Sequence, residues 1–129
     1  MTEPNWVDRD ALIELHHISL QRFGGMPGLR DEGLMEAALA RPRQVHAYNP
    51  DADIFDLATA YAAGFVRNHA FVDGNKRAGF TACLVFLAVN GRSLAATPAD
   101  ATTMMVGLAA RSVDEVTFAN WLRAHCVTL

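Results

Sequence analysis

The 129-residue chain predicts an all-α fold, a compact bundle of about six helices forming one domain over residues 1–129. Three observations lead there. Apolar residues recur at helical spacing along most of the chain, and no run shows the strict alternation of a half-buried strand. Helix-starting residues (Asp, Thr, Ser, Pro) and helix-stopping ones (Gly, Asn) punctuate it at short intervals. The composition, 51% hydrophobic and 19% charged, supplies one hydrophobic core and excludes the disordered class.

Each element has its own reason. Asp8 is a plausible N-cap for a first helix reaching Phe23, with Ala11, Leu12, Leu15, Ile18 and Ser19 as its inner face. Gly24-Gly25 stops it, because glycine accepts the left-handed conformation that a helix end needs. After the loop Met26 to Arg30, Asp31 caps a short helix through Ala40 with Leu34, Met35, Ala38 and Leu39 inward. Pro42 is expected to end it. Arg43 to Asp53 is irregular, carries the turn signal Tyr48-Asn49-Pro50-Asp51, and leaves room for a short extended flap. Ile54, Leu57, Ala58, Tyr61, Ala62 and Phe65 then give the cleanest helical period, in a helix ending near Asn68. Asn75 can cap a fourth helix to Asn90, apolar on nearly every side and therefore expected at the centre of the bundle. Thr97-Pro98-Ala99-Asp100 starts a fifth, and Ser112-Val113-Asp114-Glu115 reads as a capping box opening a sixth through Trp121 and Leu122.

The net charge of −3 lacks the basic footprint of direct nucleic-acid binding, so an anion must be held by local geometry. The apolar run Ala78–Val89 is too short to span a bilayer, and Met1-Thr2-Glu3-Pro4 is unlike a signal peptide. No membrane association and a cytoplasmic location are expected. Cys83 and Cys126 read as buried free thiols. His16 and His17 point to different faces of a helix and cannot chelate one metal well, and no His or Cys spacing matches a zinc site. Tyr61, Phe65 and Trp121 read as core aromatics. Arg41 and Arg43 read as solvated, with a protein-docking groove as the alternative.

The chemistry is concentrated in His69-Ala70-Phe71-Val72-Asp73-Gly74-Asn75-Lys76-Arg77. A plain turn would need only Gly74 and Asn75. Taken singly, the other residues are ordinary, since a histidine near a helix end is usually a surface or capping residue. Together, ahead of a buried helix, they have matching roles at a nucleotide phosphate. The first N–H groups of a helix have no internal partner and lie at the positive end of the macrodipole, where phosphate binds naturally. Gly74 lets the backbone approach the anion. Lys76 and Arg77 add full charges, and arginine can grip phosphate through two parallel bonds. Asp73 would repel phosphate unless it holds Mg²⁺. His69 suits a general base near neutral pH. Phe71 is expected to bury its ring and anchor the loop.

This segment resembles the signature of the Fic/Doc superfamily. So do Phe23-Gly24-Gly25, Gly28 to Leu34, Ala37 to Pro42 and Phe86 to Gly91, so that the likeness spans roughly residues 8 to 125. The death-on-curing (Doc) branch is the closer likeness. Fic proteins that transfer AMP usually have glycine where Lys76 stands and a second arginine where Phe80 stands. Lys76 fills the space of the inner phosphates, and Phe80 offers no charge. Gly74 restores the Fic form where the founding Doc pattern has alanine. The resemblance implies a toxin of a toxin–antitoxin pair, which phosphorylates a Thr or Ser hydroxyl with ATP and Mg²⁺. The family's target is a threonine of translation elongation factor Tu, and the implied outcome is arrested protein synthesis. Carried onto this chain, His69 is the base, Asp73 the Mg²⁺ ligand, and Asn75, Lys76 and Arg77 the phosphate holders. Many Fic proteins inhibit themselves through Ser/Thr-x-x-x-Glu-Gly/Asn. The one Glu-Gly here, Glu32-Gly33, has Gly28 four residues before the glutamate, so the motif is missing. An inhibitor on another chain is therefore implied: a small antitoxin whose disordered segment folds as a helix into an apolar groove. Two alternatives stand beside this reading, an AMP- or UMP-transferring enzyme and a catalytically idle regulator that only binds its antitoxin.

Overall fold

The computed structural model describes residues 3–129. Its order is α1 (Arg9–Phe23), α2 (Glu32–Tyr48), α3 (Ile54–Asn68), α4 (Asn75–Val89), β1 (Arg92–Leu94), α5 (Pro98–Ala110), α6 (Glu115–His125) and β2 (Cys126–Thr128). Six helices and one two-stranded antiparallel sheet make the all-α bundle that the periodicity predicts.

The caps explain the boundaries. Asp8, Asp31 and Thr97 accept from the backbone N–H groups of Ala11, Leu34 and Asp100. Asp53 and Asp56 form a reciprocal capping box at α3, and Arg123 of α6 clamps both carboxylates at 2.9 Å.

Helix α3 is the most enclosed element. It packs against α2, α4, α5 and α6, and nine of its residues are buried against seven in α4, so the centre is shared with α4 rather than held by α4 alone. Its small residues make this possible. Ala58, Ala62 and Ala63 present almost no side chain, so the neighbouring helices approach closely. A Cβ added to Gly79 of α4 would meet the Ala62 carbonyl at 2.8 Å and the Val66 side chain at 3.0 Å. Gly79→Ala is therefore expected to force the two axes apart and destabilise the protein by about 1–3 kcal/mol, measured by denaturant unfolding. Tyr61, Phe65, Phe86 and Phe118 fill the space between helices, each fully buried. The Tyr61 hydroxyl accepts from the Val7 N–H at 3.1 Å, which satisfies its polar end.

Several expectations are corrected. Helix α1 turns Leu12, His16 and Leu20 inward, whereas Leu15 is 38% and Ile18 48% exposed. Of the five residues expected inside, only Leu12 is buried, because the face is set by α4 and the loop that α1 packs against. Helix α2 does not stop at Pro42 but runs through it to Tyr48. The proline ring is buried in the interface, which offsets the one helical hydrogen bond it cannot make. Arg43 to Tyr48 is consequently helical, and no flap forms between Arg43 and Asp53. The extended segment lies earlier, where Leu29 pairs antiparallel with Phe71. Asp114, not Ser112, caps α6 through the Thr117 N–H at 2.8 Å. The Glu115 side chain instead binds Arg41 at 2.7 Å and Arg67 at 3.1 Å, so Arg41 joins α2 to α6 rather than lying free in solvent. Arg43 stacks its guanidinium 5.0 Å from the Trp6 ring. Finally, β1 and β2 pair Arg92 with Thr128 and Leu94 with Cys126, a contact between strands too short to show a period. Both cysteines are free, Cys83 buried and Cys126 half-buried. Among the described residues no helix is long and apolar enough to cross a membrane.

Candidate active site

The predicted segment leaves α3 through His69, whose backbone is left-handed (φ 53°, ψ 53°), an uncommon conformation for a residue with a Cβ. It turns the chain sharply off the helix end. Arg30 supports that turn from outside by donating from Nε to the His69 carbonyl at 2.7 Å and from Nη2 to the Asn68 carbonyl at 3.1 Å. These are helix-terminal carbonyls with no helical partner, and a cation is their natural cap. The loop then runs antiparallel to residues 28–30. The Arg30 N–H donates to the Ala70 carbonyl at 2.8 Å, and the Val72 N–H to the Gly28 carbonyl at 3.0 Å.

Phe71 lies beneath the loop, 2% exposed, against His16 and Phe65. It anchors the loop as expected of an apolar side chain between polar neighbours. Its backbone is held by Asn75, whose Oδ1 accepts from the Phe71 N–H and whose Nδ2 donates to the Phe71 carbonyl, both at 3.0 Å. Asn75 is thus the first residue of α4 and not its cap. The cap position belongs to Gly74 (φ 73°), and no side chain bonds the first N–H groups of α4. The amide of Asn75 is committed to the loop, and what it can offer a phosphate is its backbone N–H.

Asp73 closes the loop towards α1. Its Oδ1 accepts from the Gly74 N–H at 2.8 Å and its Oδ2 from the Met26 N–H at 3.2 Å. These two bonds hold the carboxyl below the usual carboxylate range. Arg77 reaches the end of α1, where Nη2 donates to the Gly24 carbonyl at 2.8 Å. A guanidinium has five donors, so most remain free. Among the described residues nothing pairs with the His69 ring or the Lys76 ammonium.

His69, Asp73, Gly74, Asn75, Lys76 and Arg77 all line one cleft of about 430 Å³. The structure thus brings together every polar residue singled out in the sequence, with the uncapped end of α4 at its floor. Lys76 and Arg77 also border a second, largely apolar groove of about 330 Å³ between α4 and α5, formed by Phe80, Pro98, Met105 and Val106. The donor set suits an anion: two cations, one carboxylate and unpaired N–H groups. It also fits Mg²⁺ carried by a nucleotide. The Asp73 carboxylate uses two of its roughly four acceptor positions on backbone N–H groups, and Mg²⁺ is usually held by one or two carboxylates plus phosphate oxygens. Among the described residues no three His, Cys, Asp or Glu side chains converge.

Three site residues were not legible as such. Arg30 caps α3. Gly25 (φ 128°) stands where a Cβ would be 3.1 Å from Asp73 Oδ2 and 2.7 Å from the Leu20 side chain. His16 of α1 is 2% exposed, and its Nε2 lies 3.0 Å from the Asp73 carbonyl. Burial pushes the His16 ring below the ordinary histidine value, the hydrogen bond to the Asp73 carbonyl works against this, and the Arg77 charge adds to it. Its position four residues from both Leu12 and Leu20 was the available signal.

Comparison with known proteins bears on the whole of this region. The model of the Fic/DOC family matches residues 6–87, from the start of α1 through most of α4. A protein of Escherichia phage P1 named Protein kinase doc is 32% identical over 117 residues, 91% of this chain and 92% of its own length. A protein of Mycolicibacterium smegmatis named Toxin Doc is 44% identical over 98 residues, 74% of this chain and 71% of its own length.

Proposed function

The chain belongs to the Fic/DOC family as a Doc-type member, and from that premise we propose that it is a toxin that moves the γ-phosphoryl group of ATP to a Thr or Ser hydroxyl of a protein, with elongation factor Tu as the expected target. The observation that carries this reading is the uncapped N-terminus of α4 facing the same cleft as His69, with Lys76 and Arg77 at its rim.

The hydroxyl oxygen attacks the γ-phosphorus, the bond from that phosphorus to the β–γ bridging oxygen breaks, and ADP leaves. His69 takes the hydroxyl proton. Charge on the transferring group is met by the backbone N–H groups of Asn75, Lys76 and Arg77, which act strongly because the helix fixes them before the reaction, and by the two cationic side chains. Asp73 would hold Mg²⁺, which supplies further neutralisation of the phosphates when bound. Lys76 and Phe80 favour phosphoryl over nucleotidyl transfer. Both border the groove beside the cradle, where Phe80 contributes an apolar ring and no second guanidinium.

A Doc-type toxin works against an antitoxin. Support for a helix-binding surface comes from that same groove between α4 and α5, from Phe23 exposed at the end of α1, and from Met26, Leu29 and Val72 exposed on the loop and its paired segment. A helix seated in the groove would cover Lys76 and Arg77.

The test is the intact mass of elongation factor Tu after incubation with the protein, Mg²⁺ and ATP. A gain of one phosphate is the expected result. A gain of one nucleotide would move the chain to the AMP-transferring branch. An unchanged mass would remove this target, and labelling of a whole lysate with γ- and α-labelled ATP would then separate another kinase substrate from an idle regulator.

A further inference from the structure

The described residues include three buried polar side chains: Thr59, Asn75 and His16. The first bonds the Phe55 carbonyl one turn back in its own helix, and the second holds Phe71. His16 has no such local role. It lies in the middle of α1, yet its one hydrogen bond crosses 57 residues to the loop. Its ring lies tilted against Phe71 with centroids 3.9 Å apart. Its Nε2 is 3.0 Å from the Asp73 carbonyl, and its Cε1 would lie 2.9 Å from a Cβ on Gly74.

A leucine or phenylalanine would fill this space at less desolvation penalty than an imidazole. What the imidazole adds is a donor. A carbonyl oxygen can only accept, so Nε2 carries a proton, and Nδ1 has no partner among the described residues. The carbonyl it grips belongs to the Asp73–Gly74 peptide. In a trans peptide the C=O and N–H point in opposite directions. With the carbonyl drawn towards α1, the Gly74 N–H faces away from it and meets the Asp73 Oδ1 at 2.8 Å. One bond from α1 therefore sets the direction of the carboxylate and the left-handed turn at Gly74 from which α4 starts. Gly74 lacks a Cβ, so on its side this peptide can rotate more freely than beside any other residue.

We propose that His16 is a positioning residue for the phosphate cradle: by donating from Nε2 to the Asp73 carbonyl it fixes the Asp73–Gly74 peptide so that the carboxylate and the free N–H groups of α4 face the cleft. The cradle's role rests on the nucleotide reading above, whereas the hold on the loop does not, and the experiment separates the two. It uses the full chain carrying His69→Ala, with His16→Phe and His16→Gln added singly. Amide hydrogen exchange at Gly74 reports the peptide. Calorimetry with Mg²⁺ and ATP reports the cradle.

His16→Phe keeps a ring against Phe71 and loses the donor. Exchange at Gly74 should rise about tenfold and Mg²⁺·ATP affinity fall about tenfold, the effect of one lost hydrogen bond, while the unfolding midpoint stays at or above that of the parent. His16→Gln, whose side-chain amide can donate to the same carbonyl, should restore both to within about threefold. A role in packing alone predicts the reverse, with the phenylalanine variant like the parent and the glutamine variant impaired, and would overturn the proposal. So would unchanged exchange in His16→Phe. If His16→Phe fails to fold, the glutamine variant decides: parent-like exchange supports the proposal, and raised exchange overturns it. If exchange responds as expected but the parent does not bind Mg²⁺·ATP, the nucleotide reading falls and the hold of His16 on the loop stands.

Discussion

Replacing His69 with alanine should lower the rate of phosphoryl transfer by about 10²- to 10⁴-fold, the usual contribution of a positioned general base. The fold should be nearly untouched. The His69 side chain is exposed and makes no contact that holds the loop, and the contact that matters for the turn, from Arg30 Nε to the His69 carbonyl, is made by the backbone. Alanine keeps that carbonyl but retains the strain of a left-handed residue (φ 53°). His69→Asn is therefore the better-matched control, because asparagine tolerates this conformation and still cannot act as a base at neutral pH. Both variants should unfold close to the parent midpoint and transfer label from γ-labelled ATP at the same low rate. A His69→Asn protein within threefold of the parent rate would take the base away from His69.

Asn75→Ala should have the largest structural effect of any polar substitution in the site, a loss of about 2–4 kcal/mol in denaturant unfolding with the slope unchanged. Asn75 is 9% exposed, and its amide satisfies both the N–H and the carbonyl of Phe71. Truncation leaves two buried backbone groups without partners, each worth about 1–3 kcal/mol. The loss would spread, because Phe71 supports the His16 ring and so the Asp73 carbonyl. Asn75→Asp keeps the acceptor for the Phe71 N–H but sets a carboxylate oxygen against the Phe71 carbonyl, so it should also lose stability. A change below about 0.5 kcal/mol in Asn75→Ala would mean that water replaces the amide and that the loop does not depend on it.

The two predictions concern residues of very different legibility. His69, Asp73, Lys76 and Arg77 stood out because a histidine, a carboxylate and two cations in one short stretch before an apolar helix have few purely structural explanations. The structure places them around one cleft. Asn75 is equally visible, but its place ahead of an apolar helix points to capping and phosphate. Its actual partner is the backbone of Phe71 four residues earlier, and a loop of that curvature leaves no periodic trace in a sequence. His16 was visible only as one of a histidine pair on a helix. Its role depends on Asp73, far along the chain.

The same division runs through the fold. Caps and periods act within one or two turns, so the sequence by itself determined where α1, α3 and α5 begin and that the domain is helical, through Asp8, Thr97-Pro98 and the run from Ile54 to Phe65. Which face of α1 points inward, whether α2 survives Pro42, where the extended segment pairs, and that β1 meets β2 were decided by the tertiary structure. The physical reason is that these depend on surfaces distant in sequence. Leu15 and Ile18 are as apolar as Leu12 and Leu20, but only the stripe containing His16 finds α4 and a carbonyl to donate to. A proline that would break a solvated helix is retained where its ring is buried against a neighbour.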